Sequence, residues 1–245
     1  MGSTLWPSAI NVLEIVRTEN PRVRTRLLAT TRALSGTRFL LPMPLRLLKR
    51  VGQAIIAGED GFRTGATELE WMVHEPERIT DHHVARAARI LSESQRAWDN
   101  AHRLARKAMR AALKRAGAAD PWASIGAFLD QQWMRVQQLD TFIERLWAGF
   151  ELPAPPPFEA LLQNEAWRLY FEGLGATVYE RCIPNQQPRP AHVADVLQLV
   201  YLAGSLRRTI VTDDAGLRRV ARAVLISRYS DASVMTTAEF LAAAP

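Results

Sequence analysis

The sequence predicts an α/β protein whose parallel sheet is flanked by helices and interrupted by a large helical region. Near the C-terminus, a helix over about residues 191–204, a strand at Thr209–Val211 and a helix over 214–224 follow one another. The segment "ASVMTTAEFLA" then adds a short strand and a closing helix. Such alternation is typical of parallel strands joined by helices. Residues 4–57 also show a strand followed by helices, so both ends of the chain indicate the same class.

The N-terminal elements are predicted from caps and apolar spacing. Thr4–Trp6 is a plausible strand end, and Pro7–Ser8 suits the start of a helix. Ala9–Val16 is apolar on almost every face, as expected of a buried helix. Pro21 opens a more polar helix to about Ser35, and a third helix follows Pro44 and ends near Gly58.

The middle of the chain, residues 58–189, shows almost only helical patterns after a loop with three glycines at 58–66. Helices are predicted there from about His82 to Ala116, from Asp120–Pro121 to Trp147, and over 158–173. Adjacent helical histidines point about 100° apart, so we interpret His82–His83 as part of a helix start rather than as a metal site. We therefore predict three regions: 1–57 and 190–245 as the α/β parts, and 58–189 as a helical insertion.

Composition limits the class of protein. The 245 residues are 48% hydrophobic and 23% charged, which is ordinary for a globular protein. No apolar run reaches the roughly 18 residues of a membrane span, and the N-terminus lacks the pattern of a secretory signal. The single cysteine, Cys182, excludes an internal disulfide and a cysteine-rich zinc site, and it fits a reducing compartment. We expect a cytoplasmic protein without a membrane partner.

The charge balance is basic, with 31 Lys and Arg against 25 Asp and Glu, for a net charge of +6. The most basic segment lies within the predicted helix His82–Ala116. Four of its side chains recur at steps of four, three and four and therefore share one helix face. They are Arg103, Lys107, Arg110 and Lys114. This face is either a solvated surface or a surface that contacts the phosphates of a nucleic acid.

Two acidic residues stand out because their helices are otherwise apolar. Asp195 lies early in "AHVADVLQLVYLAGSL", and Glu14 is the only acid in Ala9–Val16. A buried carboxylate needs a cation, a donor or a cleft, because its desolvation is costly. Each residue alone is explained by an ion pair with one of the arginines, or by a role in a site.

Connectivity indicates that these carboxylates converge. Asp213 and Asp214 follow the strand Thr209–Val211 after Thr212, and Asp195 and Glu14 lie early in helices. In parallel α/β units the strands end where the helices begin, at the edge of the sheet that carries most sites. Clustered carboxylates repel one another unless a cation holds them, and oxygen ligands favour Mg²⁺ or Mn²⁺. The sequence therefore predicts a metal site, with Asp214 as a ligand and Asp213 as a further ligand or only a helix cap.

Three segments, "PSAINVLEIV", "ADVLQLVYLAG" and "TIVTDDAGL", resemble acidic motifs of the PIN-domain nucleases and occur in the order of that family. "VMTTAEFLA" resembles the closing strand and helix of the family. The likeness covers about residues 4–57 and 190–243. Ser8 matches the serine six residues before the family glutamate, Glu14, while Asp195 and Asp214 match the later aspartates.

The resemblance implies metal-dependent cleavage of RNA, or less often of single-stranded DNA. Glu14, Asp195 and Asp214 would be catalytic and hold one or two Mg²⁺ or Mn²⁺ ions, which activate a water. Thr212 and Asn11 would support them by hydrogen bonds. The alternative is a degenerate PIN-like module that binds nucleic acid or a protein without cleavage. A homodimer or an inhibitor protein are further possible partners.

Two features depart from the family. The family opens with a strand that ends in an aspartate, whereas this chain has no acid before Glu14. We expect that a segment with this strand has been lost from the N-terminus. The insertion 58–189 is the second departure, because a compact PIN-domain toxin would not carry it.

Overall fold

A computed structural model of the chain describes residues 7–35, 40–59, 69–116, 124–131, 138–182, 196–204, 208–226 and 228–243. Within these ranges the protein is mostly helical and contains a two-stranded parallel sheet, which confirms the predicted α/β class. The α-helices are α1 Ala9–Val16, α2 Pro21–Ser35, α3 Pro44–Ala57, α4 Glu70–His74, α5 Asp81–Ala116, α6 Ile125–Gln131, α7 Gln138–Gly149, α8 Phe158–Gln163, α9 Glu165–Cys182, α10 Ala215–Leu225 and α11 Thr237–Ala243. The strands are β1 Arg208–Val211 and β2 Ala232–Met235, and 3₁₀ helices cover Pro76–Arg78 and Leu197–Leu202.

The N-terminal helices α1, α2 and α3 have the predicted bounds to within a residue. Ser8 begins α1, and its backbone forms an isolated parallel bridge with Leu41. Ala9 N donates to Leu41 O at 2.8 Å and Leu41 N donates to Pro7 O at 2.9 Å. The predicted strand end Thr4–Trp6 lies outside the described residues.

The long helix α5 confirms the helix predicted from about His82 to Ala116. His83 contributes to its start: Nδ1 of the ring lies 3.1 Å from Thr80 N and 2.9 Å from Thr80 Oγ1. This agrees with the interpretation of the paired histidines as a helix start. The side chain of the third helical residue can accept a hydrogen bond from the backbone N–H of the capping residue.

The predicted single helix over 158–173 is wrong: two helices, α8 and α9, occupy this region and the second continues to Cys182. Asn164 separates them in an extended conformation. Its side-chain oxygen accepts from Ala166 N at 3.0 Å and from Trp167 N at 3.4 Å. An asparagine that caps its own downstream amides starts a new helix, and this local effect outweighs continuous apolar spacing.

The helix predicted over about 191–204 is described only from residue 196 onward, where it is a 3₁₀ helix rather than an α-helix. It is followed by Gly204 with a positive φ of 69°. Asp195 lies outside the described residues. The helix predicted from Asp120–Pro121 to Trp147 is described as α6 and α7, and its predicted start also lies outside the described part.

The C-terminal strands and helices confirm the predicted order. Strands β1 and β2 pair in parallel with a register from Arg208 opposite Ala232 to Val211 opposite Met235. Helix α10 connects them and buries one apolar face, including Val220 and Val224. This is the strand–helix–strand unit predicted from the alternating patterns.

The chain divides into two compact units, one formed by Met1–Val51 with Gly61–Ala97 and the other by Gly52–Asp60 with Trp98–Pro245. The first unit packs α1, α2 and α4 around an aliphatic core that includes Val12, Leu13 and Leu28. The second unit has an aromatic core. Its fully buried large side chains include Trp147, Trp167, Phe128 and Phe171. This division concerns packing alone, so the assignment of 58–189 as an insertion stays a prediction.

No helix in the described parts of the chain has both the length and the apolar character needed to cross a membrane.

Candidate functional site

The loop that follows β1 carries three of the predicted site residues, Thr212, Asp213 and Asp214. Thr212 N donates to Met235 O at 2.9 Å, which extends the parallel pairing beyond β1 by one residue. The Thr212 hydroxyl oxygen then accepts from Asp214 N at 3.2 Å. Strand pairing therefore holds the backbone up to Thr212, and the Thr212 side chain shapes the turn that presents the two aspartates.

Asp214 caps helix α10. Its Oδ1 accepts from Leu217 N at 2.6 Å, and its backbone is extended with φ −69° and ψ 116°. The sequence left Asp213 as either a further ligand or the cap of this helix, and the second alternative is wrong because Asp214 is the cap. Asp214 takes the role because it is the residue immediately before the first helical position, whereas Asp213 lies one residue too early to reach the amides of the first turn.

Asp213 instead links the segment after β1 to the start of α11. Its carboxylate accepts from Thr237 N at 3.1 Å and from the Thr237 hydroxyl at 2.7 Å, so it satisfies a backbone amide at the start of α11. These two hydrogen bonds hold the pKa of Asp213 below its ordinary value, and the charge of Arg218 acts in the same direction. Arg218 also donates through Nη1 to Asp213 O at 3.0 Å and to Thr212 O at 3.3 Å.

A capping box closes the same edge of the sheet. Thr236 donates to Glu239 Oε2 from its backbone N at 2.6 Å and from its hydroxyl at 3.0 Å. Glu239 N donates back to Thr236 Oγ1 at 3.1 Å. The bonds from Thr236 lower the pKa of Glu239. The "VMTTAEFLA" segment thus owes its strand-to-helix turn to Thr236, Thr237 and Glu239.

Glu14 lies on α1 but is exposed to solvent. The sequence predicted a buried carboxylate in need of a partner at Glu14, and this prediction is wrong because the apolar residues of α1 leave one face open. Partial desolvation by the surrounding apolar residues still raises the pKa of Glu14, and the nearby Arg17 opposes that rise.

Ser8 and Asn11 have a structural role at the start of α1. The Ser8 hydroxyl donates to Asn11 Oδ1 at 2.6 Å, and Asn11 N donates to Ser8 Oγ at 3.2 Å. The two side chains form a capping box in which asparagine takes the place of the usual glutamate or glutamine. Their predicted support of a site at Glu14 remains a prediction.

The predicted ligands belong to different parts of the chain. Asp213 and Asp214 are neighbours in the second unit, Glu14 belongs to the first unit, and Asp195 lies outside the described residues. Within the described parts of the chain, no three His, Cys, Asp or Glu side chains come together in an arrangement that could hold a metal ion.

The predicted basic face lies on α5, which is helical throughout the relevant stretch. Arg103 and Lys107 are exposed, and Arg103 Nη2 donates to Asn100 Oδ1 at 3.1 Å. Arg110 and Lys114 follow on the same helix, with side chains outside the described part. The exposure of the first two residues fits a solvated face and a phosphate-contacting face equally well.

A second cluster of ionisable residues, which the sequence analysis did not identify, surrounds Glu172 in the middle of α9. Its side chain is 1% exposed, and its Oε1 lies 3.0 Å from Arg228 Nε. Arg228 also pairs through Nη2 with Asp130 on α6. Burial raises the pKa of Glu172 to about 7, although Arg228 and Arg168 act in the opposite direction.

Glu172 lines a cleft of about 450 Å³ together with Asp130, Glu159, Leu162, Gln163, Arg168 and Arg228. The sequence contained a signal for this site. Glu172 is the only acid between Trp167 and Tyr179, in an apolar stretch of helix. Like Glu14 and Asp195, it is an isolated acid among apolar residues, and such a carboxylate needs a partner when it is buried.

Arg208 forms a further ion-pair network next to this cluster. It bonds Glu165 Oε1 through Nη2 at 2.5 Å and Asp231 Oδ2 through Nη1 at 2.6 Å, and its side chain is 14% exposed. Its guanidinium carbon lies 4.4 Å from the centre of the Tyr229 ring. Arg208 therefore connects the start of α9, strand β1 and the turn before β2.

No family model, no curated protein and no solved structure matches this chain.

Proposed function

We propose that the chain is a PIN-like, metal-dependent ribonuclease that cleaves RNA internally at a carboxylate cluster. The observation that carries the proposal is the parallel pair β1 and β2, whose first strand leads directly into Thr212, Asp213 and Asp214. Carboxylates at the carboxyl end of a parallel strand occupy the edge where α/β proteins place their sites. The order of the motifs in the sequence supports the same conclusion.

The donor chemistry of the predicted ligands fits a hard divalent cation, because Glu14, Asp195 and Asp214 are all carboxylates and offer oxygen alone. A cation would also stabilise the ionised form of Glu14, whose pKa is raised by desolvation. When bound, Mg²⁺ or Mn²⁺ supplies a polarised phosphate and an activated water. Thr212 orients the turn that carries Asp214, and the basic face from Arg103 to Lys114 contributes to RNA binding.

A second candidate is a non-cleaving PIN-like module that binds nucleic acid or a protein. The observation that favours it is that both C-terminal aspartates hydrogen-bond to the fold: Asp214 accepts from Leu217 N, and Asp213 accepts from Thr237. Carboxylates that stabilise the fold through such hydrogen bonds do so without a metal ion. The two candidates therefore differ in metal binding and in turnover.

Calorimetric titration with Mn²⁺ separates the candidates. The full chain is compared with Asp214→Asn, which keeps a good helix cap and removes the charge. Glu239→Gln serves as the matched control, because it neutralises a carboxylate at the same edge of the sheet and keeps its capping box. Asp195→Asn tests the predicted ligand outside the described residues.

The nuclease proposal expects Mn²⁺ binding and Mn²⁺-dependent RNA cleavage by the full chain and by Glu239→Gln. It expects at least a tenfold loss of both in Asp214→Asn and Asp195→Asn. RNA binding without Mn²⁺ binding or cleavage contradicts it and supports the non-cleaving module. Equal Mn²⁺ affinity in all four proteins places the metal elsewhere and rejects the proposed ligands.

A further inference from the structure

The buried Glu172 carboxylate has one oxygen without a partner. Oε1 is bonded by Arg228 Nε, whereas Oε2 is buried and meets no hydrogen-bond donor in the described parts of the chain. A buried carboxylate oxygen without a donor is costly, and in native proteins such an oxygen usually meets a donor, a water or an ion. The residue therefore has an unused capacity to accept a hydrogen bond.

Glu172 lies at a cleft. Glu172 is one of the lining residues and the most buried of them, while Glu159 and Gln163 are exposed and Leu162 is half-buried. A volume of about 450 Å³ falls in the range of small-molecule sites. The lining combines the apolar side chain of Leu162 with charged and polar groups, so it can contact both an alkyl chain and a charged head group.

The charges of the lining favour a cationic ligand. Three carboxylates, Asp130, Glu159 and Glu172, face two guanidinium groups. Arg228 is already bonded to both Asp130 and Glu172, and Arg168 Nε donates to Leu162 O at 3.0 Å. A further cation would therefore restore the charge balance, whereas an anion would increase the excess of negative charge.

We propose that this cleft binds a small organic cation of the primary alkylammonium class, whose ammonium group donates to Glu172 Oε2. The alkyl part contacts Leu162, and Glu159 adds a second carboxylate at the rim. A slender ammonium group suits an oxygen recessed below the surface better than a bulky cation does. A divalent metal suits the lining less well, because no three acidic side chains of the described residues converge on one point.

The probe is n-butylammonium, with butyrate as a ligand of similar shape and opposite charge. Binding to the full chain is followed by protein-observed NMR titration at pH 8. Glu172→Gln keeps the size of the side chain and removes its charge. Glu144→Gln is the matched control, since Glu144 is an exposed acid on α7 of the same unit and does not line the cleft.

We expect n-butylammonium to bind the full chain and Glu144→Gln equally, and to bind Glu172→Gln at least tenfold more weakly. Butyrate should not bind. Since the pKa of Glu172 is about 7, the affinity of the full chain should also rise about tenfold from pH 6 to pH 8. This rise should be absent in Glu172→Gln.

Glu159→Gln keeps the proposal testable if the buried substitution prevents folding. Glu159 is exposed, so its replacement leaves the core intact, and we expect about threefold weaker binding of n-butylammonium. The proposal is overturned if n-butylammonium does not bind the full chain, as when water alone fills the recess. It is equally overturned if butyrate binds as well, or if neither substitution in the cleft lowers the affinity. None of these outcomes depends on Mn²⁺ or RNA.

Discussion

Asp213 and Asp214 are adjacent in sequence and yet satisfy different parts of the backbone. Asp214 accepts from Leu217 N in the first turn of α10, while Asp213 reaches across to Thr237 at the start of α11. The hydrogen bond of Asp214 is local, whereas the one of Asp213 joins residues that are 24 positions apart in sequence. The difference follows from where the chain leaves β1, because only the residue immediately before a helix can cap that helix.

The cap at Asp214 predicts a specific pattern of stability. Asp214→Ala removes the acceptor for Leu217 N and should lower the free energy of unfolding by about 0.5–2 kcal/mol. Asp214→Asn retains an acceptor and should stay within a few tenths of a kcal/mol of the original chain. Urea denaturation of the three proteins measures this. A similar loss in both variants would mean that the charge, and not the cap, stabilises this turn.

Glu172 predicts a pH dependence of stability. Its pKa is raised to about 7 in the folded chain from 4.5, so the folded state binds this proton more tightly than the unfolded state does. The stabilisation is fully present below pH 4.5 and is lost as pH rises through about 7. The free energy of unfolding should therefore fall between about pH 5 and pH 7 because of this residue.

Urea denaturation at several pH values checks this prediction. Glu172→Gln should flatten the fall, and Glu144→Gln should leave it unchanged. The raised pKa of Glu14 acts in the same direction, so a smaller slope should persist in Glu172→Gln. The lowered pKa values of Asp213 and Glu239 act at more acidic pH, below about pH 4.5. An unchanged slope in Glu172→Gln would show that this carboxyl group does not titrate in that range.

At the scale of elements, α9 organises the second unit. Its central residues from Leu169 to Tyr179 are buried, and it packs against α6, α8, α10 and the 3₁₀ helix Leu197–Leu202. The packing is close at Gly173, where an added Cβ would lie 2.7 Å from Val196 Cγ1 and 3.3 Å from Leu199 Cδ1. Glycine is required there because neighbouring side chains leave no space for a Cβ atom, and not because of a positive φ.

Gly173→Ala should therefore destabilise the protein by about 1–3 kcal/mol, because the branched Val196 side chain has little freedom to move away. Gly149→Ala is the matched control at the end of α7, where an added Cβ would meet nothing within 4 Å. That substitution should be neutral or stabilising by up to about 1 kcal/mol, as alanine is the better helix former. Thermal unfolding compares the two. A stabilising Gly173→Ala would contradict the close approach of α9 and the 3₁₀ helix.

At the scale of the whole molecule, the net charge of +6 predicts salt-sensitive binding of RNA if the proposed function is correct. Each phosphate contact contributes about 0.7 to the slope of log affinity against log salt for a single strand. Replacing Arg103 and Lys107 together by alanine should reduce the slope by about 1.4. The matched control replaces Arg86 and Arg89, two exposed basic residues nearer the start of α5. Equal slopes in both double variants would mean that the basic face of α5 is only solvated.

Local patterns predicted much of the secondary structure. Ser8 and Pro21 marked helix starts, and the alternation after residue 208 predicted the strand–helix–strand unit. These predictions succeeded because caps, prolines and apolar periodicity act over a few residues. The single helix predicted over 158–173 is wrong because of an equally local effect: the Asn164 side chain caps a new helix and interrupts the first one.

The sequence by itself determined the α/β class, most of the helix bounds and the position of Asp213–Asp214 at the end of a strand. Only the tertiary structure decided which aspartate caps α10, which face of α1 exposes Glu14, and that Glu172 meets Arg228 and Asp130 at a cleft. The physical reason is the sequence distance over which each kind of interaction acts. Caps and strand ends depend on neighbours within one turn, whereas burial and ion pairing depend on contacts between elements distant in sequence, such as the one from Asp130 to Arg228.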